Sequence, residues 1–283
     1  MRFYKSISVR EICGQIEMCG SILHDREVLI MQNSEFYIDH DGIALHAKLD
    51  VPATESKKVP LVIIQHGYTG HMEEPHIIAI AKAMNDIGFA ALRIELYGHG
   101  KSGGTFREHT VAKWVSELLT VIDYAAGLDF AGDLYLTGHS QGGLAVMLAA
   151  AMKRDVIKAL IPLAPAIMIR DDARKGCSFD VHFDPEHIPQ ELVMNEERIL
   201  NGNYFRTAQF LPVEEAIQAY TGPVLIVHAD TDETVPVHYA ESAAHSYANA
   251  KLHIVSGDDH CFDRKIGEVT EVMTRFLLEV QAG

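Results

Sequence analysis

The chain has 283 residues, 48% of them apolar, and its 39 acidic and 24 basic residues give a formal charge of −15 at pH 7. This length fits one large α/β domain with an insertion, and the acidic balance argues against nucleic acid or an anionic membrane as a partner. No run approaches the roughly 18 apolar residues of a membrane span, and the N-terminus lacks a secretory signal pattern, so a cytoplasmic protein with reduced thiols is expected. The four cysteines form no C-x-x-C pair and fit no zinc template, so no metal site is expected; they are Cys13, Cys19, Cys177 and Cys261.

Residues 1–34 form an N-terminal extension in which the apolar residues follow no clear helical or strand periodicity. We interpret this extension as a dimerisation element or as an added strand at a sheet edge, and the acidic surface is compatible with a monomer or a homodimer. The next segment, EFYIDHDGIALHAKLDVP, predicts a β-hairpin because two alternating runs flank a turn at residues 39–42.

From residue 59 onward, apolar strands alternate with amphipathic helices. This alternation predicts a mainly parallel sheet with helices on both faces. Strands are predicted at 59–67, 88–98, 133–140, 156–166, 221–232 and 251–260, and helices at 75–88, 110–127, after Ser140 and near 264–280. The pattern breaks at about 167–212, which is rich in charge, Pro, Asn and Gly, and which is interpreted as a lid inserted over the site.

The most informative stretch is LYLTGHSQGG at residues 134–143, an apolar strand followed by G-x-S-x-G and a helix that begins at Gln141. This pattern is typical of a nucleophile elbow, in which glycines permit a sharp turn and the serine hydroxyl is lifted clear of the backbone. Ser140 is therefore the predicted nucleophile. The backbone N–H of Gln141, at the start of the helix, is a predicted donor to the oxyanion.

A serine nucleophile needs a base, and the base needs an orienting carboxylate. Two later strands end at Asp232 and His260, which gives the chain order Ser, Asp, His of the α/β-hydrolases. Asp232 is preferred over Asp230 because it follows the point where the strand gives way to a loop. Glu95, at the end of an earlier strand, is a weaker alternative for the acid.

The second oxyanion donor is expected from the loop HGYTG at residues 66–70, whose glycines let the backbone approach closely. Tyr68 N–H is the candidate. The spacing of Asp230, Asp232 and Glu241 imitates a calcium loop, but the position that calls for glycine is Val235, so calcium binding is rejected.

Taken together, HGYTGHMEE, RIELYGHGKS, GHSQGGLAVMLAA, FDPEHIP, HADTDETVP and GDDHCF resemble the serine α/β-hydrolase superfamily, and within it the bacterial cinnamoyl (feruloyl) esterases. The resemblance covers residues 35–283 and implies an α/β-hydrolase fold with an inserted lid, no cofactor, and the triad and oxyanion donors named above. It also implies that Asp172 and Tyr204 contact the phenolic hydroxyls of the substrate. Phe179 is the third candidate substrate contact, at a position where the family resemblance leads us to expect a polar residue.

The leading interpretation is a serine carboxylesterase that hydrolyses esters of hydroxycinnamic or similar small acids through an acyl-enzyme. A general short-chain esterase, a thioesterase or an acyltransferase could use the same triad, because function belongs to the site rather than to the fold. A non-catalytic ligand-binding protein on a hydrolase fold is the remaining alternative, although all three triad residues are present.

Overall fold

We describe a computed structural model of the chain over residues 32–194 and 198–283. The expected extension at 1–34 lies almost entirely outside the described residues. The strands in the described part are β1 (Gln32–His40), β2 (Ile43–Val51), β3 (Val59–Gln65), β4 (Ala90–Ile94), β5 (Ala131–His139), β6 (Ile157–Leu163), β7 (Cys177–Ser178), β8 (Val181–His182), β9 (Glu191–Val193), β10 (Ile199–Asn201), β11 (Val224–Ala229) and β12 (Ala250–Val255). The helices are α1 (Pro75–Asp86), α2 (Val111–Ala126), α3 (Gln141–Met152), α4 (Met168–Lys175), α5 (Asn203–Ala208), α6 (Val213–Ala219), α7 (His238–Ser246) and α8 (Ile266–Ala282).

Eight strands form one sheet in the order β1-β2-β4-β3-β5-β6-β11-β12. β2 runs antiparallel to both of its neighbours, and every pair from β4 to β12 is parallel. The predicted α/β-hydrolase fold is thus confirmed. In such a sheet the carboxyl ends of the parallel strands meet along one edge, where functional groups collect.

The β1–β2 hairpin turns at Asp41 and Gly42, whose φ angles are 50° and 84°. Two successive positive φ values define a turn that matches the right-handed twist of the strands, and Asp-Gly is a favoured pair for it. The turn predicted at 39–42 is therefore explained by the residue types it contains.

The central strands of the sheet are buried on both faces. Along β3, Leu61 and Ile63 join the apolar cluster beneath α2, α3 and α6, whereas Val62 and Ile64 join the cluster beneath α1 and α8. Successive side chains of a strand point to opposite faces, so a strand covered twice needs a continuous apolar run such as VPLVII. None of the helices in the described part has the length and apolar character needed to cross a membrane.

The chain leaves the sheet after β6 and returns at β11. Between them lie α4, the two-stranded pairs β7–β8 and β10–β9, and α5. The following helix, α6, packs against α3 in the body of the domain. The insertion expected at about 167–212 therefore corresponds to the part of the chain from α4 to the residue before α6.

Candidate active site

Ser140 lies in the turn between β5 and α3 with φ 56° and ψ −121°. A non-glycine residue at positive φ is strained, and such strain persists at functional sites where the surroundings hold it. Here the Ser140 N–H donates to Leu163 O at 2.9 Å, and the Ser140 carbonyl accepts from Ala166 N at 3.0 Å. The neighbouring strand β6 and the segment after it therefore hold the predicted nucleophile in place.

Glycines make this turn possible because other backbone lies in the way of a side chain. A Cβ added to Gly142 would lie 2.2 Å from the carbonyl oxygen of His66, and one added to Gly138 would lie 2.5 Å from that of Gly142. The G-x-S-x-G pattern thus reflects close approach between the elbow and the end of β3.

The structure brings the predicted acid and base together. His260 Nδ1 lies 2.7 Å from Asp232 Oδ2, and the Asp232 Oδ1 atom accepts from the backbone N–H groups of Thr234 and Val235, each at 2.8 Å. Burial opposes the ionised carboxylate, but hydrogen bonds from His228 and His260 outweigh it, so the pKa of Asp232 lies well below its ordinary value. Asp232 is therefore ionised at neutral pH and can orient the imidazole of His260.

Two further histidines contact this pair. The fully buried His228 places Nε2 3.2 Å from Asp232 Oδ2 and 2.9 Å from Val235 O. His139 Nε2 donates to the backbone carbonyl of His260 at 2.8 Å, and the two rings are 4.6 Å apart. Burial holds the pKa of His139 well below its ordinary value, which keeps this ring neutral beside His260.

The alternative acids have other partners. Asp230 accepts from Gly257 N at 2.6 Å and from Ser256 Oγ at 2.9 Å, so its carboxylate holds the turn after β12. Glu95 Oε2 lies 2.7 Å from Nδ1 of His46, a residue of β2.

The loop at residues 66–70 passes beside the elbow. A Cβ added to Gly67 would lie 3.2 Å from Ser140 Cβ, so this loop needs glycine at that position. The carbonyl of Tyr68, the predicted second oxyanion donor, accepts a short hydrogen bond from His99 Nε2. This hydrogen bond holds the backbone of the loop in place at Tyr68.

Ser140 and His260 both line one cavity of about 260 Å³. Its chemical wall contains Ser140, His260, Tyr68 and Gln141. The insertion contributes a second group of lining residues, most of them apolar or aromatic: Met168, Ile169, Ser178, Phe179, Met194, Arg198, Leu200, Tyr204 and Phe205.

Of the substrate contacts that the resemblance implies, Tyr204 and Phe179 line the cavity, and Asp172 does not. Asp172 lies on α4 and hydrogen-bonds Ser178, which does line it; burial raises the pKa of the Asp172 carboxyl. Phe179 stands at the rim with φ 50° and 45% of its surface exposed. Of two further phenylalanines of the insertion, Phe205 lines the cavity, whereas Phe210 is 79% exposed.

Cys261 also lines the cavity, beside His260. Burial raises the pKa of its thiol to about 11, so it is a neutral thiol at physiological pH. Among the described residues, no group of three or more His, Cys, Asp or Glu side chains is arranged to hold a metal ion.

The doubly covered parallel sheet, with an elbow serine and an Asp–His pair at its edge, defines the class of the protein, an α/β-hydrolase. The family model of the serine aminopeptidase S33 group (Hydrolase_4) matches residues 56–200. That match covers more than half of the chain, and the chain belongs to this family.

The chain is also similar to individual proteins of known structure or activity. A solved structure of Est1E from Butyrivibrio proteoclasticus with ferulic acid bound has 53% sequence identity and a TM-score of 0.86, and the match covers 88% of this chain and 100% of that one. The mitochondrial palmitoyl-protein thioesterase ABHD10 of Homo sapiens is 32% identical over 224 residues, 73% of this chain and 69% of that protein. Its counterpart from Rattus norvegicus is 27% identical over 210 residues, 70% of this chain and 67% of that protein.

Proposed function

We propose that the protein is a serine carboxylesterase that cleaves esters of small aromatic acids of the hydroxycinnamic type. The observation that carries the proposal is that the strained Ser140 lines the same cavity as His260, whose Nδ1 is held by Asp232. The aromatic wall of that cavity supports an aromatic acyl group, as does 53% identity to a protein crystallised with ferulic acid. The volume of about 260 Å³ lies near the lower end of ligand pockets, about 300–1,000 Å³, and favours a small acyl group.

The proposed reaction has two halves. Ser140 Oγ attacks the ester carbonyl while His260 takes the hydroxyl proton, and the backbone N–H groups of Tyr68 and Gln141 stabilise the oxyanion. His260 then gives that proton to the departing alcohol and leaves an acyl-serine. Water, deprotonated by His260, attacks the acyl-serine, and His260 then returns that proton to Ser140 Oγ as the acid leaves. Asp232 remains ionised throughout and stabilises the His260 imidazolium.

The test is hydrolysis of methyl ferulate beside p-nitrophenyl acetate and butyrate, for wild type and Ser140→Ala. We expect the substitution to lower kcat by at least about a thousandfold, because it removes the nucleophile. Ser246→Ala, on the exposed surface of α7, is the matched control and should keep full activity. Retention of ester hydrolysis by Ser140→Ala would contradict the mechanism, and turnover of the acetate and butyrate without methyl ferulate would contradict the aromatic preference.

A second candidate is hydrolysis of acyl thioesters by the same triad. It is supported by 32% identity to a palmitoyl-protein thioesterase. Including acyl-CoA thioesters of short and long chain in the same panel separates the two functions. A kcat/KM higher for a thioester than for every oxygen ester would favour this candidate.

A further inference from the structure

Tyr204 connects the insertion to the catalytic elbow. It lies on α5, exposes only 4% of its surface, and donates its hydroxyl proton to Gln141 Oε1 at 2.6 Å. Gln141 is completely buried and is the residue directly after Ser140. A side chain of the insertion is thus bonded to the residue that supplies one of the two proposed oxyanion donors.

This bond restricts what Tyr204 can do for a substrate. A phenol has one O–H, and here that proton points to Gln141. The Tyr204 hydroxyl can therefore accept a hydrogen bond in the cavity, but it cannot donate one to a phenolic oxygen without releasing Gln141. Releasing Gln141 would leave a buried amide oxygen without this partner, which is unfavourable.

The bond also matters for catalysis. An oxyanion donor is effective only when it is held within about 0.5 Å of its working position. The Gln141 N–H stands at the first turn of α3, and its side chain is bonded to α5. Holding the side chain restrains the backbone of the same residue.

We propose that Tyr204 is a positioning residue of the oxyanion hole, acting through the side chain of Gln141. This inference rests on the proposed function, and it gives Tyr204 a role in addition to the substrate contact that the family resemblance implies. It assigns the insertion a part in the chemical step as well as in shaping the cavity.

Tyr204→Phe removes the hydroxyl and keeps the ring. Tyr220→Phe is the matched control, because Tyr220 is equally buried and donates its hydroxyl to a backbone oxygen, Ile157 O at 3.2 Å, away from the cavity lining. Both variants lose one buried hydrogen bond, so both should melt a few degrees lower than wild type. Only Tyr204→Phe should change catalysis.

The substrates are p-nitrophenyl acetate, methyl cinnamate and methyl ferulate, of which only the last carries a phenolic hydroxyl. For Tyr204→Phe we expect kcat to fall by about tenfold on every substrate that wild type turns over, with KM within about twofold, because the loss lies in the transition state. A loss confined to methyl ferulate would show that the Tyr204 hydroxyl acts only on the phenolic hydroxyl of the substrate and would overturn the proposal. Unchanged kcat on all three substrates would overturn it equally.

A second readout reports on the oxyanion hole itself. Replacing the ester C=O by C=S weakens hydrogen bonding to the backbone donors, so a well-formed hole favours the oxygen ester. The ratio of kcat/KM between an ester and its thionoester should shrink in Tyr204→Phe and stay unchanged in Tyr220→Phe. An unchanged ratio in both would mean that the hydroxyl contributes only to stability.

Gln141→Leu gives an independent arm if Tyr204→Phe folds poorly. It keeps the backbone N–H and removes the bonded amide, so it should reproduce the loss in kcat, and the double variant should lose no more than either single one. Additive losses would contradict action through Gln141. Failure of the proposed function is recognised separately, since it would appear as ester hydrolysis that survives in Ser140→Ala.

Discussion

Replacing Glu117 by glutamine is expected to stabilise the protein at pH 8 but not at pH 5. Glu117 lies on α2 with 2% of its surface exposed, and its Oε2 accepts from Tyr97 N at 2.8 Å. Burial raises the pKa of this carboxyl from an ordinary 4.5 to about 7, although the hydrogen bond from Tyr97 works in the opposite direction. Between pH 4.5 and 7, the Glu117 carboxyl is therefore mostly protonated in the folded protein and mostly ionised in the unfolded chain.

The magnitude follows from that difference in pKa. Between pH 4.5 and 7 the folded state binds more protons than the unfolded state, so the free energy of unfolding falls as the pH rises through this window. At about 1.4 kcal/mol for each pKa unit, the loss approaches about 3 kcal/mol and is complete by about pH 8. Glutamine has no proton to lose, and its Oε1 can still accept from Tyr97 N.

The assay is urea unfolding of wild type and Glu117→Gln at pH 5, 6, 7 and 8. The difference in unfolding free energy should grow by about 2.5 kcal/mol across this range, which corresponds to a difference in Tm of roughly 5 °C for a chain of this size. Glu271→Gln, on the exposed side of α8, removes the same charge and should follow the wild-type curve. Parallel curves for wild type and Glu117→Gln would refute the reasoning.

Two further substitutions test the elbow and the acid. Asp232→Asn keeps the shape of the side chain but removes the charge that orients His260, so kcat should fall by about 10³- to 10⁴-fold with KM little changed; a fall of less than tenfold in steady-state assays would exclude Asp232 as the acid. Gly142→Ala places a Cβ 2.2 Å from the His66 carbonyl and should lower the Tm by more than about 10 °C or prevent folding. Gly267→Ala, where an added Cβ meets nothing within 4 Å, is its control, and equal Tm values for the two variants would contradict the steric argument.

The parts of the site that could be predicted are those in which one local pattern leaves few alternatives. The elbow combines a strand, a strained serine and two glycines. Glycine is needed at both positions because a Cβ there would collide with neighbouring backbone atoms. Asp232 and His260 could be placed because each follows an apolar strand, and parallel strands deliver their carboxyl ends to one edge. The sheet and its helices followed from periods repeated over many residues.

The remaining parts of the site depend on contacts that no local pattern of residues in the sequence predicts. With sixteen histidines in the chain, nothing marked His228 as a partner of Asp232 or His139 as a donor to the carbonyl of His260. The strands of the insertion are two or three residues long, too short to show a period. The bond between Tyr204 and Gln141 joins residues 63 positions apart, and no spacing rule reaches that far.

The walls of the cavity and its chemical groups come from different parts of the chain. The proposed nucleophile, acid and base follow β5, β11 and β12, whereas the aromatic wall comes from residues between β6 and β11. Selectivity can therefore be redesigned, in evolution or in the laboratory, by exchanging the inserted segment while the reacting groups stay on the sheet. The hydrogen bond from Tyr204 to Gln141 joins the inserted segment to the residue that follows the proposed nucleophile. A grafted segment that lacks a hydroxyl at this position would bring a new binding surface together with a slower enzyme.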